Sequence, residues 1–187
     1  MPAPKSLLPV LLASITACTH QAPPSLTTLP PVTKASATVV RPAPDLTFRS
    51  ANSTKSLSSL RGHPILLLLG DKASRSRVTD QAQLLEGFYS KLAARKMIFL
   101  SAFTDPTDNQ VRSNVPFTPV EDPLATIASY KALAQASTGS PQTPTVAIIG
   151  PDGNVDYIGE KLLSGERVRE IMLNNHSVQT KSRRPIE

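Results

Sequence analysis

One stretch of this chain sets chemistry-bearing residues where a fold would expose them. Residues 64 to 85, PILLLLGDKASRSRVTDQAQLL, pass from an apolar run through a polar turn into an amphipathic pattern. A turn between a strand and a helix lies beside the free N–H groups of the helix that follows. A cysteine there would react as thiolate, because the helix N-terminus lowers its pKa. This turn reads Asp71-Lys72-Ala73-Ser74-Arg75-Ser76-Arg77 and holds no Cys and no His. What remains is two hydroxyls, Ser74 and Ser76, and three cations, Lys72, Arg75 and Arg77. With a helix starting near Ser74, these five make a candidate site for an anion or a partner, since helix N-termini take phosphate and carboxylate. Two plainer readings stand beside it. The helix starts only at Thr79, a good N-cap followed by Asp80, or the arginines are simply solvated.

Other chemistry at this turn lacks its parts. A serine nucleophile needs a base within hydrogen-bond reach. His63 lies at the far end of the apolar run, roughly 20 Å away at about 3.3 Å per residue. His20 and His176 fall near the chain ends, and no Gly-x-Ser-x-Gly elbow is present. The adjacent carboxylates Glu121 and Asp122 read as a helix-start signal ahead of Leu124, not as an acid/base pair. The three histidines have no metal-ligand spacing. One cysteine, Cys18, makes no internal disulfide. No catalytic residue, metal site or cofactor is expected.

Composition narrows the class. Hydrophobic residues are 40% of the 187, aromatics only 4%, and Trp is absent. One core built from Leu, Ile, Val and Ala follows. The formal charge is +6. No basic run is interleaved with aromatics, so a single-strand nucleic-acid platform is not expected. The cations read as a solvated surface with a basic tail.

The chain begins MPAPKSLLPVLLASITAC. Lys5 supplies a positive start, and the apolar stretch from Ser6 to Thr16 falls short of the roughly 20 residues that span a bilayer. This is a signal-peptide pattern over residues 1–17. Its end, Ile15-Thr16-Ala17-Cys18, resembles a bacterial lipobox, which implies lipidation of Cys18. Two or more acyl chains, each contributing about 0.8 kcal/mol per buried methylene, hold a protein stably on a membrane. Thr19 after the cysteine resembles the outer-membrane sorting of enteric lipoproteins. Residues 18–44, rich in Pro, Thr, Ser and Ala, are expected to form a disordered tether, about 3.1 Å per residue where extended.

From Asp45 the pattern is that of a folded domain. DLTFRS is a strand candidate, ANSTK a turn, and SLSSLRG a single helical turn. PILLLLG is a strand buried on both faces. Val78, Ala82, Leu85, Phe88 or Tyr89, and Leu92 mark one face of a helix that Gly87 weakens without interrupting. RKMIFLSAF is a second buried strand, completing a right-handed crossover. Residues 104–123 form a Pro-rich loop. A helix follows, with Leu124, Ile127, Ala128 and Leu133 on one side. TPTVAIIG and VDYIGE pair as a hairpin around PDGN. Ser164 caps a last helix with Val168, Ile171 and Met172 inward, and residues 177–187 form a basic tail.

That order, with its wording, resembles the thioredoxin-like superfamily, in its peroxiredoxin and periplasmic thiol-reductase branch. PDLTFRSANSTKSLSSLRGHPILLLL resembles the usual opening of those domains, and TPTVAIIGPDGNVDYIGE their second half. The resemblance implies an α/β domain over residues 45–176, with a mixed sheet of four to five strands flanked by helices. It also implies a cis-proline loop at Thr143-Pro144. Aligned from Arg61-Gly62-His63-Pro64, the two redox cysteines of the reductases fall on Ser74 and Arg77, and the preceding Trp on Ala73. Neither replacement carries out thiol chemistry. A cysteine-less member is therefore expected, acting as a binding or assembly module. It would sit on the periplasmic face of a bacterial envelope, on the outer membrane, with a protein or peptide partner and a membrane contact through its lipid. Two rivals are an enzyme of non-thiol chemistry at the Ser74 turn, and a structural lipoprotein. The latter would meet anionic lipid or cell-wall polymer through Lys181, Arg183 and Arg184.

Overall fold

A computed structural model describes residues 41–104 and 113–174. The leader, Cys18, the tether up to residue 40, part of the Pro-rich loop and the basic tail lie outside these residues.

The apolar run ILLLLG forms β3 (Ile65–Gly70), buried at every position. Both its faces are covered, which is why it alternates no polar residue. It pairs in parallel with β4 (Ile98–Phe103) and antiparallel with β6 (Val146–Ile149), which continues through a hairpin into β7 (Val155–Gly159). A two-residue strand, β5 (Thr118–Pro119), lies parallel to β4 at one edge. The sheet order is β5-β4-β3-β6-β7. The expected α/β architecture with a five-stranded mixed sheet is present.

The alternation of side chains along β3 splits the core in two. Leu66 and Leu68 face α1 (Arg75–Glu86), α2 (Tyr89–Ala93) and α4 (Gly165–Leu173), meeting Val78, Ala82, Leu85, Leu92, Val168 and Met172. Ile65, Leu67 and Leu69 face α3 (Pro123–Thr138), meeting Ile127, Tyr130 and Ala134.

Several expectations need correction. The segment read as a turn, residues 51–55, holds a strand: β1 (Thr47–Ser50) pairs antiparallel with β2 (Ser53–Ser56) around Ala51 and Asn52. β2 is largely exposed, so it carries no apolar alternation to betray it. The helix over 75–92 is two helices. The chain breaks at Gly87–Phe88, where Phe88 tucks against Gly165; a Cβ on Gly165 would stand 2.2 Å from the Phe88 ring. In α3 the inward stripe is Thr126, Ile127, Tyr130 and Ala134, while Leu124 is 66% exposed and Ala128 is also exposed. Tyr130 takes the centre of that face and donates a hydrogen bond to the Pro44 carbonyl (3.2 Å). Residues 41–43, placed in the tether from sequence, bond to the hairpin: Ala43 N–H to Gly153 O at 3.0 Å and Val155 N–H to Arg41 O at 2.8 Å.

Two helix starts are as expected. Asp122 accepts from Ala125 N–H (3.0 Å), and Ser164 accepts from Arg167 N–H (3.2 Å). No described helix is long and apolar enough to cross a membrane.

Candidate functional site

The site lies where β3 ends. Gly70 must be small there: a Cβ would meet Phe103 and Val78 at 2.8 Å. This close approach brings the next residues over the end of the sheet. Ser74 then forms the N-cap of α1, so the helix begins at Arg75. Thr79 is interior to it, and its hydroxyl donates back to Arg75 O (3.2 Å).

The Ser74 hydroxyl does not bond forward into the helix. It turns back, accepting from Asp71 N–H (2.9 Å) and donating to Asp71 Oδ1 (2.8 Å). Ser74 N–H also donates to Asp71 Oδ1 at 2.8 Å. From the facing loop, the Thr143 hydroxyl donates to Asp71 Oδ2 at 3.1 Å. One carboxylate thus takes donors from both sides. Burial alone would push its pKa up. Hydrogen bonds from the Ser74 hydroxyl, Ser74 N–H, the Thr143 hydroxyl and Ala73 N–H outweigh burial and hold it below the usual value.

Strand pairing positions the facing loop. Leu69 N–H donates to Thr145 O (3.0 Å), and Thr145 N–H donates to Gly159 O (2.9 Å). Thr143 and the buried Pro144 therefore sit just ahead of β6, level with the end of β3.

Between the turn and this loop lies an open groove of about 350 Å³, lined by Asp71, Ala73, Ser74, Arg77, Lys131 and Thr143, among others. Across Gln142 a second space of about 420 Å³ opens between α3 and β7, lined by Ala134, Pro144, Tyr157 and Ile158 with Glu160 and Lys161 at its border. Burial pushes the Tyr157 hydroxyl's pKa up, and nearby Arg167 pulls the other way.

The candidate residues separate in space. Ser74, Arg77, Thr143 and Pro144 come together around the groove and its neighbour. Lys72, Arg75 and Ser76 are exposed and are not among the groove-lining residues. Arg77 faces Glu160 at 3.7 Å, and Glu160 in turn accepts from the Ser140 hydroxyl. The Ser74 hydroxyl and N–H already hold Asp71. Sequence reasoning passed over Asp71, Lys131, Gln142 and Glu160. For Asp71 a signal existed, since Asp three residues ahead of a helix-starting Ser commonly bonds its own turn. Lys131 and Glu160 come from distant elements and carry no local signal.

His63 precedes β3 while Ser74 follows it, so the two stand at opposite ends of that strand. Among the described residues no three His, Cys, Asp or Glu side chains gather as a metal-ligand set. The geometry supplies a groove whose two walls are joined through Asp71.

The strand order, β4 parallel to β3 with a β6–β7 hairpin antiparallel to it, is that of a thioredoxin-like fold, with α1 and α4 on one face and α3 on the other. Solved structures similar to this chain include a putative thiol:disulfide interchange protein DsbE of Chlorobium tepidum. It is 18% identical over 72% of this chain and 94% of that one, with TM-score 0.49. The peroxidoxin BcpB of Mycobacterium tuberculosis is 16% identical over 78% and 97%, with TM-score 0.48. The thioredoxin domain of a thiol-disulfide oxidoreductase of Bacteroides vulgatus is 15% identical over 69% and 91%, with TM-score 0.44. No family model and no curated protein matches the sequence. These likenesses concern fold alone, and the fold assignment rests on strand order and direction.

Proposed function

We propose that this chain is a lipid-anchored, redox-inactive binding module of the bacterial envelope. Its groove between the Ser74 turn and the Thr143-Pro144 loop receives an extended segment of a protein partner. The observation that carries this is the Asp71 bridge. Where the resemblance places a reductase's first reactive thiol, this chain has Ser74, whose hydroxyl and N–H bond to the Asp71 carboxylate, and that carboxylate also takes the Thr143 hydroxyl. A serine hydroxyl is not a thiol, and a carboxylate held below its usual pKa is a poor base for activating one. The groove walls are thereby fixed without occupying the groove, which favours binding of a preformed kind. Membrane attachment rests on the resemblance of Ile15-Thr16-Ala17-Cys18 to a lipobox, which implies acylation, and the outer-membrane address rests on Thr19.

The test uses a reduced, alkylated and permanently unfolded polypeptide as a fluorescent probe of the full chain. Binding is expected, and Ala73→Phe, which fills the groove from an exposed position, is expected to weaken it about tenfold. Equal binding by the two proteins would remove the groove from the account. Insulin reduction by the full chain is expected to stay at background.

A further inference from the structure

The charges around the groove narrow what kind of segment it takes, given that the groove reading holds. We infer that the preferred partner segment is extended and acidic, with an aliphatic anchor residue flanked by carboxylates. The acids meet Lys131 and Lys161, and the aliphatic side chain enters the space between α3 and β7.

The inference comes from which charges are already satisfied. Asp71, the carboxylate of the first space, already accepts hydrogen bonds from Ser74 and Thr143. Glu160, at the border of the second, is held by Arg77 and Ser140. Both local carboxylates are engaged, and so is the guanidinium between them. The two lysines differ. Lys131 on α3 lines the first space and Lys161 after β7 lines the second. Both are exposed, and neither has an ion-pair partner among the described residues. Each ammonium offers three donors and no acceptor, so its complement is an acceptor with charge. The second space, which Lys161 borders, is the more apolar of the two, walled by Ala134, Pro144, Tyr157 and Ile158. That wall takes an aliphatic side chain and offers little to a polar one. Alternation along an extended chain puts neighbouring residues on opposite sides, so flanking acids and a central apolar residue can be served together.

The test measures fluorescence anisotropy of the full chain with three short labelled peptides. One has a central leucine between glutamates, the second replaces the glutamates by glutamines, and the third replaces the leucine by serine. At low salt the glutamate–leucine peptide is expected to bind about fivefold tighter than the glutamine one, the scale of two exposed ion pairs. The gap should shrink as salt is raised. It should vanish in the Lys131→Ala, Lys161→Ala double variant, and return in Lys131→Arg, Lys161→Arg. The serine peptide should bind more weakly than the leucine one in every protein. Equal binding of glutamate and glutamine peptides overturns the acidic preference and leaves the groove reading intact. A preference that persists in the double alanine variant overturns it too, by placing the acid elsewhere, such as on the basic tail. If neither these peptides nor the unfolded polypeptide binds, the groove reading itself has failed.

Discussion

The first helix and the last two of the larger helices begin in different ways. At α3 and α4 the capping side chain serves its own helix: Asp122 accepts from Ala125 N–H, and Ser164 from Arg167 N–H. An acid also sits in the first turn of α4, at Glu166, as the helix dipole favours. At α1 the N-cap hydroxyl turns away from the helix, and no acid lies in the first turn. The carboxylate comes instead from Asp71, three residues earlier, and it also reaches Thr143 across the groove. Two helix starts are built to hold helices. The third is built to hold two walls together. This difference singles out the end of the molecule where the candidate groove lies.

If so, α1 must be anchored elsewhere, and the largest stability effect should lie away from its start. Gln81, fully buried in the second turn, accepts from Leu163 N–H (2.6 Å) and donates to Leu163 O (2.8 Å). Gln81→Leu would strand both groups and is expected to cost about 3 kcal/mol, read from urea unfolding. A loss no larger than that of Asp71→Ala would mean that the start of α1 anchors the helix after all.

Asp71→Ala is expected to cost about 1.5 kcal/mol, because hydrogen bonds to a charged acceptor are lost at a partly exposed site. Its pH dependence is distinctive. The folded chain holds this carboxyl below its ordinary value of 3.8, so the folded state binds its proton less readily than the unfolded state. The contribution is present above that unfolded value and is lost as pH falls through the lower folded one. The stability gap between the parent chain and Asp71→Asn should therefore stay level from neutral pH to about pH 4 and close below it. A gap that grows with acid would contradict the bridge.

Asp122→Ala and Ser164→Ala should each cost about 1 kcal/mol, the ordinary worth of an N-cap, and neither should alter binding in the groove. Arg77→Ala removes a long, half-exposed pair with Glu160 and is expected to change stability by less than about 0.5 kcal/mol. A larger loss would show that this pair, and not Asp71, holds the walls.

What could be read from the sequence followed the strength of local signals. The fully apolar β3 and β4, the period of α1 and the caps Asp122 and Ser164 each speak through neighbouring residues. β2 and β5 were hidden because one is polar and exposed and the other is two residues inside a Pro-rich loop. The break after Glu86 was hidden because its cause, Phe88 against Gly165, joins residues far apart in the chain. The groove divides the same way. Ser74 and Thr143-Pro144 stood out by their place in a pattern. Lys131 and Glu160 reach the site only through the packing of α3 and the end of β7. Asp71 lay in view within the turn, but its second partner, Thr143, is 72 positions away.

The most direct measurement is amide chemical-shift mapping of the full chain, in detergent micelles, as the glutamate–leucine peptide is added. Shifts are expected at residues 71–77 and 140–145, with the Thr143 amide among the largest, accompanied by shifts at 131–134 and 157–161, and all are expected to be lost in Ala73→Phe. Shifts confined to residues 175–187, or none at 71–77 and 140–145 while the peptide still binds, would contradict the account.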